Sequence, residues 1–389
     1  MSSLPMEKDL FKKVVPIHQS FRGGKYTGKF FFRFWSYGKW KTVEVDDRLP
    51  AKPYKNGRKF YLFLGRSDSN VNEFWPALLE KAYAKLYGSY GALKSGSGQE
   101  ILPDLSGGII EYHKLDRVPH DLFDIMVKAK RNGALMYCGT SLNKDYKGLH
   151  ASHGFAVTNA IKVKGNSGTR YELVRIRDPH GNGGEWTGRW SDETIKKWLP
   201  AATRAKYNIV DKDDGEFYMC MDDFLKLFHS FYICHLSVAS VRRLAPGGNI
   251  GLKGYSCHGS WKGNGGGNQP HKASFAKNPR YKFTIKDNSK DRDKMATLIV
   301  DIMEKKTRSH HGKRHDRLSI GFFVYRWDGK TKVNSRFFRN SRPVATSKFT
   351  TEKGNTLRLT LKPGTYYVVP CTSKPYQKGD FYMRVYAEK

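Results

Sequence analysis

The sequence has few acidic residues and lacks any long apolar run, and each shortage narrows the classes of protein it can belong to. It carries 36 Asp and Glu against 69 Lys and Arg, which leaves a formal net charge of +33 over 389 residues. Such a charge attracts nucleic acid, anionic lipid and acidic proteins without specifying a fold. No apolar run reaches the length of a membrane span or of a signal-peptide core. The sequence therefore predicts no transmembrane segment.

Cysteines are also scarce, and their spacing excludes two common uses. They are odd in number, far apart and without a C-x-x-C pair: Cys138, Cys220, Cys234, Cys257 and Cys371. A disulfide framework and a cysteine-based zinc site both need cysteines that can pair, so a reducing cytoplasm is the expected compartment. Hydrophobic residues make up 39% of the chain, which excludes a disordered protein. The length predicts two or three domains.

Hydrophobic patterning over the first 236 residues predicts a mixture of helices and strands. Alternating apolar and polar residues predict strands within 29–49, 154–163 and 171–179. Apolar residues at helical spacing predict helices within 72–90, 121–133 and 222–233. The strands within 29–49 flank a YGK turn, which indicates an antiparallel pair.

Beyond residue 236 the pattern changes to all-β. Residues 237–277 are rich in glycine and show little periodicity, which predicts a linker. From 278 to 389, short alternating runs are bounded by Gly, Pro, Asn or Asp, which predicts a β-sandwich. The predicted fold class of the whole chain is α+β.

A histidine and an aspartate stand at the ends of two predicted neighbouring strands. His153 directly precedes the strand 154–163, and Asp178 lies at the end of 171–179. A carboxylate on one imidazole nitrogen would select a tautomer and leave the other nitrogen as a base. A histidine at a strand edge is also a common structural feature, and no motif in the residues names a nucleophile. Both interpretations stay open on this pattern alone.

Four acids form a second candidate site on glycine-rich loops. They are Glu185, Asp192, Asp214 and Glu216, within GEWTGRWSD and DKDDGEF. Carboxylates and backbone carbonyls on flexible loops suit Ca²⁺. The alternative is a solvated acidic surface, which would be unusual in so basic a chain.

A basic loop over 304–317 separates two predicted strands of the sandwich. Its six cations are Lys305, Lys306, Arg308, Lys313, Arg314 and Arg317. Either the loop is solvated, or it contacts an anionic phospholipid surface. A nucleic-acid partner is not expected, because no RNA-binding signature with paired aromatics is present and basic residues are spread along the chain.

Several segments resemble one known family, the calpains. Five segments are similar to the calpain protease core: NEFWPALLEKAYAKLYGSYGAL, SHGFAVT, RIRDPHG, EWTGRWSD and DGEFYM. Three later segments are similar to the calpain C2-like β-sandwich: GSWKGNGGGNQP, SIGFFVYRW and LKPGTYYVVPCTSKPYQKGDFYMRVY. The resemblance implies a partial papain-like calpain protease core followed by an all-β C2-like sandwich. The implied domains are a remnant of protease subdomain 1 (1–107), protease subdomain 2 (108–236), a linker (237–277) and the sandwich (278–389).

The resemblance also implies roles for individual residues. His153 takes the family's base position, Asp178 replaces the Asn that orients it, and His180 replaces the adjacent Trp. The acids Glu185, Asp192, Asp214 and Glu216 fall on calcium-binding positions. Complete relatives are calcium-dependent cysteine endopeptidases of intracellular proteins. The implied cofactor is thus Ca²⁺, and the implied location is the cytoplasm, with membrane association if the sandwich binds phospholipid.

One departure from the family bears on activity. Calpains carry their nucleophile in a GDCWL helix upstream of the segment resembling LFKKVVPIHQSF, and this sequence begins just before that segment. The expectation is therefore that the nucleophile is absent and the chain is inactive as written, because without a thiolate no acyl-enzyme forms. Cys138 aligns with a structural strand position and is not expected to substitute.

Three hypotheses follow. The first is a protease whose first part is missing from this sequence. The second is a non-catalytic protein that binds anionic phospholipid or acidic partners through the C2-like domain. The third is nonspecific nucleic-acid binding through charge alone.

Overall fold

The computed structural model describes most of the chain, and those residues mix helices with strands as predicted. The described residues are 7–53, 60–62, 65, 72–94, 96–181, 185–236, 252–263, 267–286, 295–305 and 317–388. They belong to two compact units. The first unit comprises 1–33, 42–83 and 112–236, and the second comprises 34–41, 84–111 and 237–389. The α+β class is confirmed, whereas the predicted domain bounds stay a prediction.

The elements before residue 237 match most of the predicted ones. The helices are α1 (Lys8–Val14), α2 (Trp75–Tyr87), α3 (Gly98–Ser106), α4 (Leu122–Arg131), α5 (Asp192–Ile195), α6 (Ala201–Lys206) and α7 (Met221–Leu227). The strands are β1 (Lys29–Ser36), β2 (Lys39–Asp46), β3 (Ala51–Pro53), β4 (Phe60–Leu62), β5 (Ile109–Lys114), β6 (Leu135–Thr140), β7 (Gly154–Lys164), β8 (Arg170–Arg177), β9 (Glu216–Cys220) and β10 (Phe228–His235). None of the helices in the described part of the chain has the length and apolarity needed to cross a bilayer.

A six-stranded sheet brings the candidate histidine and aspartate to the same edge. Its strand order is β5-β10-β6-β7-β8-β9, with antiparallel pairing from β10 to β9. The pairing of β7 with β8 sets Ala156 opposite Arg177. His153 precedes β7 and Asp178 follows β8, so antiparallel pairing places both residues at one end of the strand pair.

The predicted helix over 222–233 is wrong in its second half. Helix α7 ends at Leu227, and the chain continues as β10, which pairs with β6 inside the sheet. The segment FHSFYICH contains apolar residues that satisfy either a helix or a buried strand. Tertiary pairing decides for the strand, because β6 offers an open ladder of backbone hydrogen bonds.

The second unit contains two four-stranded antiparallel sheets around one core. Its strands are β11 (Leu252–Lys262), β12 (Tyr281–Ile285), β13 (Ala296–Glu304), β14 (Ile320–Trp327), β15 (Ala345–Thr346), β16 (Gly354–Leu361), β17 (Gly364–Thr372) and β18 (Lys378–Glu388), with a short helix α8 (Ser335–Asn340). The sheet orders are β11-β18-β13-β16 and β12-β17-β14-β15. Buried side chains from both sheets form the shared core, including Val300, Ile302, Phe322, Val368 and Val385.

Part of the predicted linker is a strand of this sandwich. Strand β11 pairs with β18 along its whole length, from Leu252 opposite Glu388 to Lys262 opposite Lys378. Sequence reasoning missed it because glycines interrupt the alternation. Gly254 and Gly259 lie under the rings of Tyr386 and Phe381, where a Cβ would clash at 2.8 and 2.3 Å. Residues 237–251 lie outside the described part of the chain.

Acidic residues of one short segment form ion pairs with basic residues of the sandwich strands and loops. The segment is 98–111, which includes α3 and the start of β5. The pairs are Glu100 with Arg317, Asp104 with Lys353, and Glu111 with Arg358. The first two pairs are buried. This segment therefore supplies the counter-ions of two buried cations and of one partly buried cation.

A buried arginine completes the attachment of this segment. The guanidinium of Arg384 lies 2.6 Å from a carboxylate oxygen of Asp301 on the neighbouring strand. It also donates hydrogen bonds to the carbonyl oxygens of Gly107 and Gly108, at 2.6 and 2.8 Å. Asp301 thus remains fully paired although it lies in a strand that is buried throughout.

Candidate active site

The histidine and aspartate predicted to work together do lie together. Nε2 of His153 is 3.1 Å from Oδ1 of Asp178. The carboxylate accepts the Nε2–H, which selects that tautomer and leaves Nδ1 of His153 with its lone pair. This arrangement places a base nitrogen on the side of the ring that faces away from Asp178.

The carboxylate is held ionised in a buried position. Asp178 is 1% exposed. Burial raises the pKa of Asp178, but hydrogen bonds from the His153 ring and the His180 backbone N–H outweigh it and hold the pKa below its usual value. The backbone N–H of Asp178 donates to the carbonyl of Gly215 at 2.8 Å. Gly215 has φ +80°, and a Cβ there would lie 2.6 Å from the Gly181 carbonyl, so only glycine fits this approach.

Two further histidines surround the pair; the sequence analysis gave no role to His150 and noted His180 only as the replacement of a family Trp. The ring of His180 stacks on that of His153 with centroids 4.5 Å apart and an interplanar angle of 11°. Nδ1 of His180 is 3.2 Å from Asp178 Oδ1. Nε2 of His150 is 3.9 Å from the other carboxylate oxygen, Oδ2. The signal in the sequence was the spacing H-x-x-H at 150–153 followed by the DPH at 178–180.

Three of the four predicted calcium ligands, Glu185, Asp192 and Asp214, lie within electrostatic range of one another. Oε1 of Glu185 accepts backbone hydrogen bonds from Asp214 and Gly215, at 2.8 and 2.7 Å. Burial and the neighbouring charge of Glu185 raise the pKa of Asp192 to about 7. These are acids whose mutual repulsion is relieved by a cation.

The fourth acid has a partner of its own. Oε2 of Glu216 is 2.7 Å from Nη2 of Arg175 on the paired strand β8. Glu216 would have to leave this ion pair to bind an ion with the other three.

Comparisons with known proteins identify the family. The family model of the calpain family cysteine protease matches residues 1–235. The model of calpain large subunit, domain III, matches residues 257–386. The chain belongs to the calpain family.

Named calpains match along the whole chain. Calpain-A of Drosophila melanogaster is 35% identical over 408 residues, which cover 100% of this chain and 48% of that protein. Calpain clp-1 of Caenorhabditis elegans is 35% identical, covering 99% of this chain and 50% of its own length. The Calpain-2 catalytic subunit of Mus musculus is 34% identical, covering 100% and 56%. The chain spans about half the length of these curated calpains.

A calpain-type protease needs a reactive thiolate, so the surroundings of each cysteine bear on activity. Cys138 is fully buried, and burial raises its pKa well above the usual value. Burial also raises the pKa of Cys220, Cys257 and Cys371. Cys234 is buried in β10. A buried thiol with a raised pKa stays protonated and inert.

The structure describes two of the six cations predicted to contact lipid. Lys306, Arg308, Lys313 and Arg314 lie outside the described residues. Lys305 directly follows β13 and is partly exposed. The side chain of Arg317 is 6% exposed and lies 2.9 Å from Glu100. This buried ion pair argues against a role for Arg317 at a lipid surface.

Proposed function

We propose that this chain carries the histidine–carboxylate half of a calpain-type cysteine endopeptidase site that acts on intracellular proteins. The observation that carries the proposal is the 3.1 Å contact between His153 Nε2 and Asp178 Oδ1. Family membership supplies the reaction class, because the matching family model is that of a cysteine protease.

The geometry supports a base role for His153. Its Nδ1 would take the proton from a thiol, and the buried carboxylate of Asp178 would stabilise the imidazolium that forms. The same nitrogen would then return the proton to the leaving amine. His180 covers one face of the His153 ring, which restrains the ring's rotation. The thiolate itself is not supplied by any of the five cysteines, so this chain alone is proposed to be inactive.

The finer structural assignments belong to the same proposal. The six-stranded sheet and its helices would form a papain-like subdomain, and the second unit's two sheets a C2-like sandwich. The proposed location is the cytoplasm, where unpaired cysteines are kept reduced. Binding of anionic phospholipid or acidic partners without catalysis is the alternative. It stays a prediction, since most of the cations on which it depends lie beyond the described residues.

We also propose that Glu185, Asp192 and Asp214 bind Ca²⁺, with Glu216 joining only if it leaves Arg175. Hydrogen bonds link this loop to the catalytic pair. Glu185 accepts from Gly215 N–H, and the Gly215 carbonyl accepts from Asp178 N–H. A calcium ion that draws these acids together would therefore also restrain the backbone of Asp178. Calcium supplies charge neutralisation here, while the proton transfers remain with His153.

Calcium binding should depend on the carboxylate of Asp192 and should not depend on that of Glu193, the next residue in sequence. Calcium at a hundred times its Kd should stabilise the folded chain by about 2.7 kcal/mol. Asp192→Asn should remove most of this stabilisation, because it deletes a charge that lies among the other acids. Calorimetric titration and thermal unfolding would measure both effects.

Glu193→Gln is the matched control, since Glu193 is exposed and adjacent in sequence. Glu216→Gln decides whether the fourth acid takes part. Equal calcium heats in the wild type, Asp192→Asn and Glu193→Gln would remove this site.

The purified chain should not cleave casein in the presence of calcium, and a thiol-directed epoxide should not label it selectively. The reason is that its thiols are buried or have raised pKa values. Mass spectrometry of the labelled chain and release of casein fragments provide the two measurements. Calcium-dependent cleavage that is lost in both His153→Ala and Cys138→Ser would show that Cys138 acts as the nucleophile after all.

A further inference from the structure

Two histidines and an aspartate converge on one point at the rim of the candidate active site. One ligand-type atom from each of His150, Asp178 and His180 lies within 4.8 Å of the others. His150 Nε2 lies 3.9 Å from Asp178 Oδ2, and His180 Nδ1 lies 3.2 Å from Asp178 Oδ1. Ligands of a tetrahedral zinc ion are about 3.3 Å apart, given metal–nitrogen bonds of about 2.0 Å. Small side-chain rotations would bring these atoms to that spacing.

A second observation points to a missing partner at the same place. Oδ2 of Asp178 is buried and accepts no hydrogen bond within the described structure. Oδ1 of the same group is satisfied by the His153 ring and the His180 backbone N–H. A buried carboxylate oxygen without a donor is costly, and buried charges are normally paired or bound to metal. This oxygen faces His150 Nε2.

The orientation of His150 matches that of a metal ligand. Its Nδ1 lies 3.2 Å from Oδ2 of Asp145, and Asp145 Oδ1 accepts the backbone N–H of Ala151 at 2.7 Å. A carboxylate that accepts the Nδ1–H leaves Nε2 with its lone pair directed at Asp178. Carboxylate–histidine–metal arrangements of this kind hold the ligating tautomer and raise its basicity.

We propose that His150, Asp178 and His180 bind a divalent transition-metal ion of the zinc class. Two imidazole nitrogens and one carboxylate oxygen suit Zn²⁺ and Co²⁺, whereas Ca²⁺ and Mg²⁺ prefer oxygen ligands alone. His180 is 62% exposed at its side chain, which leaves the ion an entry route and a coordination position for water.

The site shares Asp178 with the catalytic pair, so it has a consequence that rests on the proposed function. A metal ion bound to Asp178 Oδ2 would partly neutralise the carboxylate that orients His153. It would also occupy space beside the His153 ring. Zinc would therefore act as an inhibitor of a calpain-type site built on these residues. Metal binding itself requires neither a thiolate nor hydrolysis, so failure of one proposal is distinguishable from failure of the other.

The test is titration of the full chain with Zn²⁺ by calorimetry and with Co²⁺ by visible absorption. Every protein in the titration carries His310→Ser, His311→Ser and His315→Ser, because three histidines this near in sequence could also bind zinc. We expect one equivalent of Zn²⁺ to bind this background. Asp145→Asn should weaken binding about 10–100-fold because it changes the group that orients the His150 ring, and His150→Gln should weaken it at least as much.

His180→Trp is the sharpest variant, since tryptophan keeps an aromatic ring against His153 while removing the nitrogen ligand. It should weaken zinc binding as strongly as His150→Gln and abolish the Co²⁺ bands. His120→Gln changes an exposed histidine elsewhere in the same unit and should leave affinity unchanged. Unaltered melting temperatures exclude misfolding as the cause of any loss. The proposal is overturned if zinc affinity is equal in the background, His150→Gln and His180→Trp. It is also overturned if the triple substitution His310→Ser, His311→Ser, His315→Ser alone abolishes the binding seen in the wild type.

Discussion

Replacing Asp104 with alanine should lower the free energy of unfolding of the second unit by about 3–5 kcal/mol. The Asp104 carboxylate pairs with the ammonium of Lys353, which is 3% exposed as a residue and also lies 3.2 Å from the Tyr87 hydroxyl. Burial disfavours the charged form of Lys353, but the neighbouring Asp104 outweighs it and holds the pKa above its usual value. Removing the carboxylate would leave a buried cation without its counter-ion.

Hydrogen exchange of the amides in β13 and β16 would measure this effect, because it reports the opening of the second unit alone. The double variant Asp104→Ala, Lys353→Met should recover most of the loss, since it removes both buried charges. Asp380→Ala is the control in the same unit: Asp380 is an exposed carboxylate in β18, and such a surface charge contributes up to about 1 kcal/mol. Equal effects of Asp104→Ala and Asp380→Ala would contradict the importance of burial.

The second large effect concerns catalysis. When the cysteine-bearing segment of a complete calpain is joined ahead of this chain, the chimera should cleave a peptide substrate in calcium. His153→Ala should then lower kcat/KM by about 10²–10⁴-fold, the usual contribution of a general base. Asp178→Ala should also reduce it strongly, because the imidazolium would lose its buried carboxylate.

Asp178→Asn is the informative partner variant, because the resemblance to calpains implies an asparagine at this position. It should preserve the orientation of His153 and retain much more activity than Asp178→Ala. His120→Ala serves as the control for an exposed histidine. Turnover is measured with a fluorogenic peptide over a range of concentrations, which separates kcat from KM. A chimera that stays fully active with His153→Ala would show that the base has been assigned to the wrong residue.

Local sequence patterns indicated the adjacency of His153 and Asp178 because the two residues flank neighbouring strands. Strands β7 and β8 are consecutive and pair antiparallel, so the position of His153 before one and Asp178 after the other implies their proximity. The same reasoning succeeds for the α+β class and for the alternating strands of the sandwich. It failed at β10, where the apolar residues fit both helical and strand periodicity. It also failed at β11, where glycines interrupt the alternation of side chains.

Amino-acid composition alone does not show which charged residues are exposed and which are buried. The excess of 69 basic over 36 acidic residues predicts an anion-binding surface, and sequence alone placed Arg317 in it. In the structure, Arg317 is instead a buried partner of Glu100. No local pattern could have revealed this pairing, because the two residues are 217 positions apart in sequence.

What the sequence by itself determined is therefore the family, the fold class and the adjacency of His153 and Asp178, since these depend on motif order and on local strand pairing. Only the tertiary structure decided which charges are buried together and which side-chain nitrogens face Asp178. His150 reaches the carboxylate while its ring and the backbone N–H of Ala151 are held by Asp145, and Glu216 is held by Arg175 across a strand pair. Such contacts depend on the angles and distances between separate segments, and a linear pattern of residue types does not contain that information.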